Sequence, residues 1–235
     1  MNTERTLTIN PRRTLIVLAS AGVAVILLSA LGLHMRFFPG SYNVHNGTQA
    51  NLLQDFGIEM DFNLKHNVAS YFGLLFMALA AYVLFTIAKF KKSAEKFPWA
   101  ATAWVVFFLS IDNLAAILQK ANVYFRIENG PKAYFPVTEF IVAIIFAVLL
   151  FALWRQLDSQ TRWLFLVFAL TYFAGAIGKE LTLGANKELT AALFMLFEQA
   201  LEYTGEIVLV YALLHHVSTS MAQFSISIEM PTAKA

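Results

Sequence analysis

The chain of 235 residues contains no cysteine and few charges. Without thiols, disulfides, thiolate metal sites and cysteine nucleophiles are all excluded. Charged side chains make up 14% of the sequence, where soluble proteins average about 25%. Seventeen Lys+Arg stand against fifteen Asp+Glu, a formal charge of +2, so nothing points to a nucleic-acid partner. No internal repeat or low-complexity segment occurs. Neither a His-Glu-x-x-His helix nor a serine-nucleophile motif is found.

What is abundant is apolar: 58% of the residues are hydrophobic and the mean hydropathy is +0.61. Runs of about 20 apolar residues are long enough to cross a bilayer as helices. They predict spans at 14–33, 68–88, 98–118, 134–154, 163–183 and 191–217. The expected fold is all-α: an integral membrane bundle of six transmembrane helices forming one domain over 1–217, with a short tail at 218–235. The first run is too long for the apolar core of a signal peptide and is read as a helix that stays in the bilayer.

Orientation follows from the basic residues. Arg5, Arg12, Arg13, Lys89, Lys91, Lys92, Lys96, Arg155, Arg162 and Lys234 fall on one side, in short connections. Arg36, Lys65, Lys120, Arg126, Lys132 and Lys187 are spread over longer loops on the other. Both termini are therefore expected in the cytoplasm. Trp99, Trp104, Trp154 and Trp163 lie at the cytoplasmic helix ends, as an interfacial aromatic belt would. His215 and His216 are expected there too, as interfacial residues suited to a helix C-terminus.

Between the first two spans, Leu52, Leu53, Phe56 and Met60 repeat at helical spacing opposite Asp55 and Glu59, which predicts an interfacial helix on the outer surface. The alternating Phe224, Ile226, Ile228 and Met230 read as a loose tail, with strand addition to a partner as the alternative.

Ionisable groups inside hydrocarbon cost about 2.5 to 3.5 kcal/mol each on insertion scales, so each requires a reason. Here they gather in the outer half: Asp112, Glu139, Lys179, Glu180, Glu198, Glu202 and Glu206. At about 100° per residue, Glu198, Glu202 and Glu206 share one face of the sixth span. Asp112, Ala116 and Gln119 are placed on one face of the third, and His66, Ser70 and Gly73 on one face of the second, with Asn67 beside them. The run Ala174-Gly175-Ala176-Ile177-Gly178 admits a close helix neighbour. The expected pocket comprises His66, Asn67, Asp112, Gln119, Lys120, Glu139, Glu180, Glu198, Glu202 and Glu206. Clustered carboxylates must be protonated, paired with Lys120 or Lys179, or bound to a cation. A divalent metal ion is one candidate cofactor, with Asp112, Glu198, Glu202 and His66 as its ligands. A second conceivable metal set is His34, His45 and His66 with Asp55, Glu59 and Asp61.

Four stretches together resemble a family of uncharacterised bacterial multipass membrane proteins. They are Lys65-His66-Asn67-Val68-Ala69-Ser70, Ser110-Ile111-Asp112-Asn113 with Gln119-Lys120, Gly175-Ala176 with Glu180, and Glu198 through Gly205. The resemblance spans roughly 56–217. Asn67, Asp112, Glu180, Glu198, Glu202 and Gly205 match the family pattern of Asp-Glu, His-Glu, Gly-Ala-x-x-x-Glu and Glu-Glu-x-x-Glu-Met-x-Gly. His66 and Asn113 stand where that pattern has Glu, Gln119 and Lys120 where it has His-Glu, and Gln199 where it has a second Glu. The resemblance implies a bacterial inner-membrane location and a divergent member with reduced ligand charge, in which Lys120 replaces a cation.

Three functions remain open from the sequence. The leading one is an outward-facing carboxylate pocket binding a cation, a proton or a small polar ligand. A metal-dependent hydrolase of lipid-linked substrates is the second, and an accessory subunit of a larger membrane complex the third. The expected partners are the bilayer and either another membrane protein or a second copy of the chain.

Overall fold

The computed structural model describes residues 6–7, 10–38, 47–60, 68–124, 137–182, 188–220 and 226–227. They form eight α-helices: α1 Pro11–Phe37, α2 Gly47–Glu59, α3 Val68–Phe90, α4 Ser93–Ala115, α5 Ile117–Tyr124, α6 Val137–Leu153, α7 Ser159–Thr182 and α8 Glu188–Ser220. A 3-10 turn, Trp154–Gln156, follows α6. The fold is helical, as the apolar runs predict. Three helical stretches among the described residues, Pro11–Met35, Ser70–Phe90 and Ser93–Ala115, are long and apolar enough to cross a membrane.

Local chemistry sets the helix ends. Asn10 caps α1 by accepting the backbone N–H groups of Arg12 and Arg13 at 3.0 and 3.3 Å, and Pro11, which lacks an N–H, occupies the first helical position. The expected third span does not run through to residue 118. It stops at Ala115, and Ala116 takes a left-handed conformation at φ 52°. An alanine held there costs about 1–2 kcal/mol. The break is closed on both sides: Ala116 donates its N–H to the Asp112 carbonyl, and the Asp112 carboxylate accepts the N–H of Leu118 at 2.7 Å. Asp112 thus caps α5 as well as lying near the site. Asp112, Ala116 and Gln119 therefore do not share one helix face, because the chain turns between them.

Two helix pairs, α3 with α4 and α7 with α8, pack most extensively, and α8 also contacts α1 and α3. The core between them is Met77, Leu84 and Ile87 from α3, Val106 and Leu109 from α4, Phe146 from α6, Phe165 and Phe168 from α7, and Leu209 and Leu213 from α8. Glycines permit the closest approaches. A Cβ on Gly175 would lie 2.7 Å from the Glu198 carbonyl oxygen, and one on Gly205 would lie 2.9 Å from Thr171 Oγ1. The small-residue run on α7 does bring a neighbour close, and that neighbour is α8. Near the C-terminal end of α1, a Cβ on Gly32 would meet Met60 at 2.8 Å. This contact seats α2 on α1, with Phe56 and Met60 half-buried, Asp55 and Glu59 exposed, and Leu52 left uncovered.

At the opposite end of the bundle the two chain ends meet. Thr6–Leu7 and Ile226–Ser227 form a two-residue antiparallel strand pair. The alternating segment near the C-terminus thus finds its strand partner in the same chain, at Ile226 and Ser227; Phe224, Ile228 and Met230 lie outside the described residues.

Overpacking a tight interface costs about 1–3 kcal/mol. Gly175→Val should therefore lower the apparent melting temperature in detergent by several degrees, because the clashing atom is backbone and cannot move aside. An unchanged melting temperature would show that α7 and α8 do not approach this closely.

Candidate functional site

The glutamates of α8 turn inward. Glu198 is 4% exposed, Glu206 is 1% exposed and Glu202 is half-buried. One turn apart, they follow the seam that α8 makes with α7, where a Cβ on Gly175 would lie 2.8 Å from Glu202 Cγ. Gln199 donates a side-chain hydrogen bond to Glu202. From α4, Asn113 Nδ2 donates to Glu206 Oε1 at 2.9 Å. This pair fits beneath α3 because residue 73 is glycine: a Cβ there would lie 2.9 Å from Asn113 Nδ2 and 3.3 Å from Glu206 Oε1. The second oxygen, Glu206 Oε2, is buried and has no hydrogen-bond partner among the described residues.

Two tyrosines complete the surroundings. Tyr172 of α7 is buried within electrostatic reach of Glu202, Glu206 and Asp112, and Tyr203 of α8 is within reach of Glu206 and Glu202. Tyr203 is held edge-on by Phe76 of α3, with centroids 6.3 Å apart. Asp112, Asn113, Tyr172, Glu202, Tyr203 and Glu206 thus gather from α4, α7 and α8 around one apolar-walled locus. Such a cluster can hold a proton or a cation, share a proton between carboxyls, or hydrogen-bond a small polar guest. Among the described residues, no group of three or more His, Asp and Glu side chains is placed to hold a metal ion.

His66, Asn67, His45 and Asp61 lie outside the described residues, as do the side chains of Gln119, Glu139 and Glu180. Lys120 is exposed on α5 rather than within the buried cluster. His34 packs on Phe38. Asn113, Tyr172 and Tyr203 are absent from the pocket expected from the sequence. Asn113 adjoins the Asp112 singled out from sequence, so a buried amide facing a buried acid was the available signal; nothing in the sequence sets Tyr172 apart from the other aromatics of its helix.

A second polar cluster occupies the end where the termini pair, and it corrects two expectations. His216 is fully buried, stacked on Trp99 at 5.0 Å and 23°, with its Nδ1 3.7 Å from Asp158 Oδ2. Trp99 is likewise buried, donates to Gln156 Oε1 at 2.7 Å and has the Lys91 ammonium 5.5 Å from its ring centroid. Neither is an interfacial residue. Adjacent helical positions diverge by about 100°, so His216 points inward while His215 turns toward the surface. Trp104 and Trp163 are exposed, Trp163 near the start of α7 but Trp104 at the middle of α4, away from the helix end where it was expected.

The chain, then, is a helical bundle built around buried carboxylates. It belongs to a family described as a domain of unknown function (DUF8692), which it matches over residues 15–217. No curated protein and no solved structure matches it.

Asp158 caps α7 by accepting the N–H of Thr161 at 2.9 Å and the Thr161 hydroxyl. Burial alone would raise its pKa, but those hydrogen bonds, together with His215 and His216, outweigh burial and hold it below the usual carboxylate value. A lowered folded pKa means stabilisation that is present above the ordinary carboxylate value and lost as the pH falls through the folded value. Asp158→Ala should cost about 0.5–2 kcal/mol at pH 7. The difference in melting temperature from wild type should shrink on acidification below the ordinary carboxylate pKa; a constant difference would overturn this account. At the carboxylate cluster, Asn113→Leu should cost about 1–3 kcal/mol by stranding Glu206. Pairing it with Glu206→Leu should recover most of that loss, and failure to recover would show that the two side chains are not coupled.

Proposed function

We propose that this is a multipass membrane protein whose buried glutamate cluster takes up a proton or a small cation from one face of the bilayer. The apolar perimeter supports insertion. Val17, Leu27, Tyr82, Val148, Phe151 and Leu170 are each more than 60% exposed, on four different helices. Soluble proteins seldom leave such area uncovered, whereas lipid accommodates it. In this reading α1, α3, α4, α6, α7 and α8 are the six spans and α2 rests on the outer surface. The paired termini share one side, as an even number of crossings requires. The shorter, Lys/Arg-rich connections put that side in the cytoplasm of a bacterial inner membrane.

The observation that carries the functional reading is the Glu206 carboxyl. One of its oxygens is held by Asn113 and the other is buried with no described partner, while Glu202 lies close enough to interact electrostatically. A bare charge in that position is costly, so the site calls for a positive counterpart. A single fixed oxygen beside an open one suits a proton or a monovalent cation. Tyr172, Tyr203 and Asn113 supply the polar lining, and the α4–α5 break at Ala116 turns the chain just beside Asn113. Broken helices beside a buried carboxylate are a recurrent way to expose backbone polar groups to an ion.

Infrared difference spectroscopy on the full chain in nanodiscs, titrated with acid and separately with Na⁺, K⁺ and Mg²⁺, tests this reading. A carboxyl signal that responds to one of these titrants and disappears in Glu206→Gln is the expected result. Identical titrations of wild type and Glu206→Gln would sink the proposal. Circular dichroism of the variant confirms that the bundle is intact.

A further inference from the structure

A cleft of about 500 Å³ opens at the end of the bundle that carries the paired termini, on the far side from the carboxylate cluster. The start of α1, the first turn of α7 and the last turns of α8 form its walls, through Asn10, Arg12, Gln160, Tyr211, His215 and Ser218 among others. Among the described residues, no carboxylate lines it. Asp158, whose charge reaches His215, is not among the lining residues and is committed to Thr161.

The lining is rich in donors that no other described residue uses. Arg12 makes no ion pair among the described residues, and the side chains of Gln160 and Tyr211 make no hydrogen bond among them. Asn10 and Ser218 are already engaged: Asn10 accepts from the start of α1, and Ser218 donates to the His215 carbonyl at 2.8 Å. What remains open is a guanidinium fork, a carboxamide and a phenol converging from three helices on one space. This donor set matches the oxygens of a phosphate group, which takes several N–H and O–H donors around one negative charge. Pro11 and Tyr211 also line the cleft and add apolar surface beside these donors.

We infer that this cleft binds a phosphate-bearing anion, and that its source is the headgroup of an anionic phospholipid. The position favours the lipid. Arg12 opens a helix whose next residues, Ile16 and Val17, are more than 60% exposed and apolar, so the cleft lies where the apolar perimeter begins. A headgroup held there needs no departure from its leaflet. The site is independent of the glutamate cluster.

The test uses the full chain in maltoside micelles, titrated calorimetrically with dihexanoyl phosphatidic acid, dihexanoyl phosphatidylglycerol, dihexanoyl phosphatidylcholine and inorganic phosphate. Saturable binding of the two anionic lipids, weaker binding of the zwitterionic one, and a loss of about tenfold or more in Arg12→Gln are expected. Tyr211→Phe, which removes only the hydroxyl, should weaken binding by a smaller factor. Arg13→Gln, an exposed neighbour that does not line the cleft, should retain affinity. Equal losses in Arg12→Gln and Arg13→Gln would reduce the effect to diffuse surface charge and overturn the site. Inorganic phosphate binding as tightly as the lipids would overturn the lipid source while keeping the phosphate chemistry, and no saturable binding of any probe would overturn both.

Discussion

A carboxyl group in the middle of an apolar bundle constrains everything packed around it. Glu206 is supplied with polar company from three sides: the Asn113 amide from α4, the neighbouring Glu202 one turn earlier on α8, and the tyrosines Tyr172 and Tyr203. Each contact requires a particular helix spacing. Asn113 reaches Glu206 only because Gly73 leaves the space above them open, and α8 lies against α7 only because Gly175 and Gly205 carry no Cβ. The glycines are therefore part of the polar site, although none of them has a polar side chain. Such close approaches and buried hydrogen bonds hold helices together through packing and polar contact as well as apolar burial.

The same economy appears where α4 ends. Asp112 was the natural candidate for an ionic role, and it does lie within reach of Tyr172, yet one of its oxygens is used to cap α5. The left-handed Ala116 and the cap belong together: without the carboxylate, the Leu118 N–H at the start of α5 would lose its acceptor. Thr138 at the start of α6 then donates to the Leu118 carbonyl at 3.0 Å, which locks the break into the bundle. The residue beside the acid, Asn113, becomes the one that addresses the cluster.

At the other end, polar residues serve to tie elements together. The stack of Trp99 and His216, the Trp99 bond to Gln156 and the Asp158 cap join the α3–α4 connection, the α6–α7 connection and the end of α8. Two polar centres thus stand at different depths. One is a cluster of buried carboxylates, and the other is built from aromatic rings and a capping acid, with a cleft that carries Arg12 beside it.

The sequence by itself determined the helices and their inward faces. Long apolar runs satisfy their backbone internally as helices, and glutamates four residues apart on a helix form a stripe. It also determined that α7 would present small residues to a neighbour. Tertiary structure alone decided which neighbour that was, which side chain met which carboxyl, and which residues were spent on structure. Asp112 and Asn113 are adjacent in sequence, and only the turn at Ala116 assigns one to a helix cap and the other to Glu206. His215 and His216 look alike in the chain, and only the packing of α8 against Trp99 buries one and leaves the other at a cleft. Periodicity reports the direction of a side chain relative to its own helix, whereas a site is made from the distances between helices.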